Sequence, residues 1–333
     1  MTLRAAPAGR AGAWAALGLL SVLTAVLGLG VGSLGWEPPW VTLAADPAGM
    51  SLIGDLRAPR TLGAALVGAL LGLSGAVAQG LFRNPLAEPY LLGSSAGAGL
   101  CMALLLTVGL PWSLDVGWWA RLGLTGAAFV GSVAGVALTL SLARGAAHTL
   151  RLLLAGVVVG VVLGAGTQLM MVWSGEAWRV MQAFMLGNTA LLGWPACLLM
   201  GGVLVVTLPL AWALARVLDA LSLGEDTART LGVPLGTARS ALVAVLALST
   251  AAAVAQAGLI AFVGLAAPHL ARPWLGASHR SLVLASAWVG GLLLALADVL
   301  ARWIIAPQEL PVGVLTAVIG GVYLLVLLHR RRA

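Results

Sequence analysis

Apolar positions in this chain come in long blocks, not in the two- or four-residue rhythm of soluble strands and helices. The blocks fall near residues 11–34, 60–81, 91–110, 119–142, 150–173, 191–216, 237–257, 259–272, 281–304 and 312–328. A hydrocarbon core about 30 Å thick takes about 20 helical residues, so each block predicts a spanning helix. The eighth is short and is interrupted by Gly264 and Pro268. The first has the look of a secretory h-region, yet it is longer than one and further spans follow at once, so it is read as a true first helix. The expectation is an all-α membrane protein, a polytopic bundle of about ten transmembrane helices, with residues 1–333 forming one transmembrane domain.

Small residues recur inside the blocks, as at Gly63, Gly68, Gly72 and Gly75 on the second helix. In lipid, where helices gain nothing by hiding apolar surface from water, such residues let backbones approach closely and predict a dense bundle. Composition agrees: 61% of residues are hydrophobic and 9% charged, with a mean hydropathy of +1.04, against about 25% charged in soluble domains. All 18 basic residues are arginines. With no lysine there is neither a Walker A phosphate-binding lysine nor Schiff-base chemistry, so this chain is expected not to be an enzyme, and any ATP that powers it must bind elsewhere.

The net charge of +7 is explained by topology. With an inside N-terminus, 13 arginines lie on the cytoplasmic side and five (Arg57, Arg60, Arg121, Arg179, Arg302) outside, as the positive-inside rule requires; both termini are then cytoplasmic. Arginines spread between apolar runs do not form a nucleic-acid surface. Nine of the 13 tryptophans (Trp36, Trp40, Trp112, Trp118, Trp119, Trp173, Trp178, Trp194, Trp303) fall at outer ends, where amphipathic rings anchor at the headgroups. Cys101 and Cys197 lie in apolar runs without metal-ligand spacing, and His148, His269, His279 and His329 are scattered; no metal site is expected.

Three polar stretches stand out. Arg57-Ala58-Pro59-Arg60 sits at an outer helix entrance, where guanidinium groups either snorkel or dock carboxylates of a soluble partner; Arg302 joins them or pairs with Asp298 one turn earlier. Arg83-Asn84-Pro85-Leu86-Ala87-Glu88-Pro89 is a rigid inner turn in which Asn84 caps or lines a passage. Between Gly224 and Gly232, within an inner loop spanning 217–236, charges alternate with small and apolar residues, predicting a short amphipathic helix that fits another protein's groove or lies on the surface. There is also a weak inverted repeat: Arg60 and Arg239 open helices two and seven, and each helix closes on Ala-Val-Ala-Gln (76–79 and 253–256), five spans apart.

On these residues, together with Leu91-Leu92-Gly93, Leu152 to Gly156, Gly258 to Leu265 with Pro268-His269 and Arg272, His279-Arg280, Ala297-Asp298 and Leu310 to Gly313, the chain resembles the permease subunits of iron-siderophore, haem and cobalamin ABC importers, the FecCD type. The resemblance implies type II ABC importer permease architecture: a homodimer of ten-helix subunits in the bacterial inner membrane, two cytoplasmic ATPases that bind ATP and Mg, and a periplasmic substrate-binding protein. It places Arg57, Arg60 and Arg302 at binding-protein docking positions. It places Leu223, Gly224, Glu225, Ala228, Arg229, Leu231, Gly232 and Val233 in the ATPase-coupling loop, and Asn84, Leu86 and Thr149 at positions that close the pathway on the cytoplasmic side. Two departures are visible: Gly320-Gly321-Val322-Tyr323-Leu324 lacks the family's usual proline and phenylalanine, and Ser278 stands where an aspartate is usual.

On the fifth helix Thr167 and Gln168 interrupt an apolar run, so a pathway lined there passes a chelate without gripping it. An iron chelate, siderophore or haem, is the expected cargo, with cobalamin the alternative. An ion-coupled secondary transporter is a more remote one and would want a midplane carboxylate, for which Asp298 is the candidate.

Overall fold

A computed structural model describes residues 7–32, 35–45, 47–108, 118–145, 149–276 and 278–330; Arg4, Trp112, His148, Arg331 and Arg332 lie outside them. Fifteen α-helices are described: α1 (Pro7–Gly30), α2 (Pro39–Ala45), α3 (Pro47–Ser51), α4 (Ala58–Phe82), α5 (Ser94–Val108), α6 (Trp118–Leu142), α7 (Thr149–Trp173), α8 (Gly175–Leu186), α9 (Trp194–Ala213), α10 (Ala215–Ser222), α11 (Glu225–Thr230), α12 (Leu235–Ala257), α13 (Val263–Leu275), α14 (His279–Trp303) and α15 (Val312–Arg330). A π-helical turn, Leu52–Arg57, leads into α4, and a 3₁₀ turn, Pro89–Leu92, leads into α5. The two-residue strands β1 (Val31–Gly32) and β2 (Gly35–Trp36) pair antiparallel after α1.

Helices α1, α4, α5, α6, α7, α9, α12, α13, α14 and α15 coincide with the ten apolar blocks. Their ends are shifted where backbone chemistry intervenes. The first block ends four residues early, because the chain turns into the β1–β2 hairpin. The eighth starts at Val263 instead of 259, since Gly258 (φ 72°) and Phe262 (φ 69°) leave helical space. The 191–216 block breaks at Leu214 into α9 and α10.

The close-packing expectation is met most fully by α4, which is 83% buried over its apolar window, whereas α7 and α9 are each 22% buried. The α4 glycines face backbone: a methyl on Gly68 would run into the carbonyl of Gly290, on Gly72 into that of Ser286, and on Gly75 into that of Gly264. α14 therefore lies in main-chain contact with α4, and α13 begins beside the middle of α4. Leu70, Leu71, Leu73, Val77, Leu242, Leu246, Val283 and Leu294 fill the surrounding core. By contrast α7 turns Val161, Val162 and Val172 outward, and α9 turns out Leu198 and Val205. These are faces for lipid or for another apolar chain.

Candidate functional site

At the N-terminal end of α4 the chain forms a cleft of about 550 Å³ lined by Arg57, Arg60, Arg302, Asp55 and Glu309. Behind Arg60 and Arg302 lies Asp298, fully buried on α14. Arg60 donates through Nε (3.1 Å) and approaches with Nη2 (3.0 Å) the same carboxylate oxygen, Oδ1, to which the Thr189 hydroxyl also donates (2.6 Å). Oδ2 lies 2.8 Å from Arg302 Nη2, an ion pair rather than a well-aligned hydrogen bond. A carboxylate so placed is tolerable in the interior because two cations and a hydroxyl replace its water.

Arg302 is corrected by this geometry. Its side chain is 2% exposed, and Nη1 donates to the carbonyls of Gly28 and Val31, each at 2.9 Å. Of the two sequence alternatives, pairing with Asp298 is the one found, and the guanidinium ties α14 to the end of α1 instead of facing water. Arg57 donates to the Leu29 carbonyl (3.0 Å), and Arg60 turns its remaining Nη1 to Glu309, at 3.1 Å from Oε1 and 2.9 Å from Oε2. Thr189 and Glu309 were missed from the sequence because each lies more than 100 residues from the group it binds.

The other end of α4 carries the short helix expected between two glycines. α11 runs from Glu225 to Thr230, between Gly224 (φ 113°) and Gly232 (φ 77°), backbone values that favour glycine. Leu223 and Leu231 are about two-thirds exposed, Arg229 and Asp226 point outward in a 3.4 Å pair, and Gly232 is open. Ala228 is fully buried and Val233 packs against the core. Two bare leucines beside charges form a small amphipathic surface.

Glu225 faces inward. Its Oε1 meets Nη2 of buried Arg239 at the start of α12, at 2.6 Å, and accepts from the Thr149 hydroxyl at the start of α7, at 3.3 Å. Burial alone would raise this carboxyl's pKa, but the Arg239 hydrogen bond and charge, the Thr149 hydroxyl and the charge of Arg83 outweigh it and leave the pKa below the ordinary glutamate range. Two expectations held separately from the sequence, Glu225 in the coupling loop and Thr149 at the gate, are thus one contact. Nearby, Asp219 caps α14 at His279 N (3.0 Å) and meets its Nδ1 (2.6 Å), and Arg280 stacks 4.2 Å over Trp212.

The remaining pathway candidates are spread out. Asn84 Oδ1 accepts from the Leu86 N–H (2.9 Å), closing a local turn after left-handed Arg83, and Leu86 is half exposed. Behind this turn, Gln79 donates to the Leu265 carbonyl (3.1 Å) and accepts from Arg272 (2.9 Å), while Glu88 accepts from Phe262 N–H (3.2 Å). These bonds fix the turn to the start of α13. Gln168 is exposed on α7, whereas Thr167 is buried and bonded to its own helix.

The bundle carries a charged cleft at one end and an amphipathic loop at the other, and its relatives make it a multi-pass permease of the ABC importer class. The chain belongs to the FecCD transport family, whose pattern matches residues 18–330. It is 38% identical over 325 residues to the hemin transport system permease protein HmuU of Yersinia pestis, covering 95% of this chain and 96% of that one. It is 40% identical over 325 residues to the vitamin B12 import system permease protein BtuC of Citrobacter koseri, covering 95% and 94%. A metal-chelate type ABC transporter solved in an inward-facing conformation superposes with a TM-score of 0.85 at 31% identity, over 95% of this chain and 98% of that one. The family is one of importer permease subunits whose ATPase is a separate subunit, so the ion-coupled alternative falls, and Asp298, held between two arginines, is structural.

Proposed function

We propose that this chain is the membrane-spanning subunit of a bacterial inner-membrane importer that carries an iron chelate, haem or a ferric siderophore, from periplasm to cytoplasm. The observation that carries the reading is the separation of two partner-facing surfaces by the length of α4. Its 25 residues span about 37 Å, with the arginine cleft at one end and Glu225 near Arg83 at the other. The cleft faces the periplasm and receives carboxylates of a substrate-binding protein on Arg57 and Arg60. α11 faces the cytoplasm and seats in an ATPase that binds ATP and Mg. Two copies of the chain pair across the apolar outer face of α7, and both termini are cytoplasmic.

Motion at the ATPase reaches the passage through Glu225, which holds the coupling helix against the first residue of the pathway helix α7. The valine-rich outer face of α7 suits passage of a bulky amphiphilic chelate, and selection is left to the binding protein. Likeness to a haem permease and to a metal-chelate transporter supports an iron chelate; the equal likeness to cobalamin permeases keeps cobalamin as the second reading. Reconstitution in proteoliposomes with the ATPase and binding protein tests the choice, by ATP-dependent uptake of haem, a ferric siderophore panel and cobalamin. Uptake of haem or a ferric siderophore is expected. Uptake of cobalamin alone selects the second reading, and uptake by this chain alone on an ion gradient overturns both.

A further inference from the structure

The two arginines that face the cleft are not equivalent. Arg57 reaches only a carbonyl, that of Leu29, and among the described residues no carboxylate lies within ion-pair distance of it. Arg60 is 13% exposed and each of its three nitrogens already faces a carboxylate: Nε and Nη2 meet Asp298, Nη1 meets Glu309. Asp298 cannot let go, since Arg302 and the Thr189 hydroxyl hold the same fully buried carboxylate. Glu309 can. It is 31% exposed and ends a run of exposed residues, 304–309, between α14 and α15.

We propose that Glu309 is a built-in competitor for the docking carboxylate: it occupies the outer edge of Arg60 until an acidic side chain of the binding protein displaces it, so that Arg57 makes the first contact. The inference rests on the docking role given above to Arg57 and Arg60. The cleft has room for the exchange, with about 550 Å³ open beside Glu309 and Arg57. Its remaining acid, Asp55, is turned to the Ser51 hydroxyl (2.8 Å). Exchanging one carboxylate for another on the same guanidinium leaves the local Coulomb energy nearly unchanged, while Glu309 also repels an incoming acid at short range. Arg60 therefore adds little to docking affinity in the wild-type chain, and the Glu309 loop sets how tightly the partner is held and how readily it leaves.

The test uses the permease–ATPase complex in nanodiscs and the purified, ligand-free substrate-binding protein of the same system, with docking followed by biolayer interferometry at low and at physiological salt. Glu309→Gln should tighten docking about two- to fivefold, the scale of one partly exposed ion pair, and most of the gain should be lost on an Arg60→Ala background. Because loss of Arg60 could disturb folding through Asp298, phenylglyoxal labelling read by mass spectrometry gives a second measure: Glu309→Gln should raise labelling of Arg60 and leave Arg57 unchanged. Docking that is unchanged or weaker in Glu309→Gln, or Arg60 labelling that does not rise, overturns the proposal. If Arg57→Ala leaves docking unaltered, the docking role itself fails, whatever Glu309 does.

Discussion

Each end of α4 holds a carboxylate against arginine, yet the two arrangements are built from opposite parts. At the cleft the acid is the buried member: Asp298 is sealed between Arg60 and Arg302, both on long helices of the bundle, and Thr189 of the α8–α9 connection. At the other end the arginine is the buried member: Arg239 is fixed in α12, and its acid, Glu225, rides on a six-residue helix between two glycines. A buried acid with two cations cannot move without stranding charge. A partly exposed acid on a short loop can move relative to partners that stay fixed in the bundle. The first contact fixes the helices in place, and the second links a loop to them.

The largest effect expected from this contrast is on stability. Asp298→Ala leaves Arg60 and Arg302 without their shared anion and should cost about 3–5 kcal/mol, the scale of a broken buried pair, seen as a lowered thermal midpoint in lipid-doped micelles. A loss near that of a surface pair would break the contrast. Glu225→Gln should leave the fold intact but reduce substrate moved per ATP hydrolysed about tenfold, a coupling loss on the order of 1.4 kcal/mol, measured by parallel uptake and phosphate-release assays. The same contact should be indifferent to pH from neutral down to the ordinary glutamate range. A carboxyl with a depressed pKa in the folded state keeps its bonds until pH falls through that lower value. A spin label at Thr227→Cys, with Cys101 and Cys197 replaced, should gain mobility only below that point. Smallest of all, Asp226→Asn should change stability by less than about 0.5 kcal/mol, since its pair with Arg229 is exposed.

Much of this architecture was legible in the residue pattern, because lipid permits few alternatives to a long apolar helix. Ten blocks gave ten helices, and among the described residues seven helices are long and apolar enough to cross a membrane. α8 was not read, since twelve residues that include Glu176 and Arg179 match neither a span nor a capped soluble helix. α2 and α3 are shorter still. At the site, Arg302 could be paired with Asp298 from their spacing of four, but the Gly28 and Val31 carbonyls that bury it are more than 270 residues away in sequence. The glycines around α11 announced a short helix there. That Glu225 turns inward while Arg229 turns out depends on Arg239 and Thr149, which no local spacing reveals.

The backbone contact of α4 with α14 bears on where this permease can change shape. Two helices that touch through Gly68, Gly72, Gly290 and the Ser286 carbonyl have no layer of side chains between them to re-rotamer, so one cannot slide on the other without main-chain collision. They act as a single strut. Whatever rearrangement alternates access to the two sides must therefore take place around that strut, in α7, which shares little buried surface with the rest of its own chain, and in the broken entry to α13 at left-handed Phe262, which makes α4 and α14 the stationary reference against which any transport movement of this chain is to be measured.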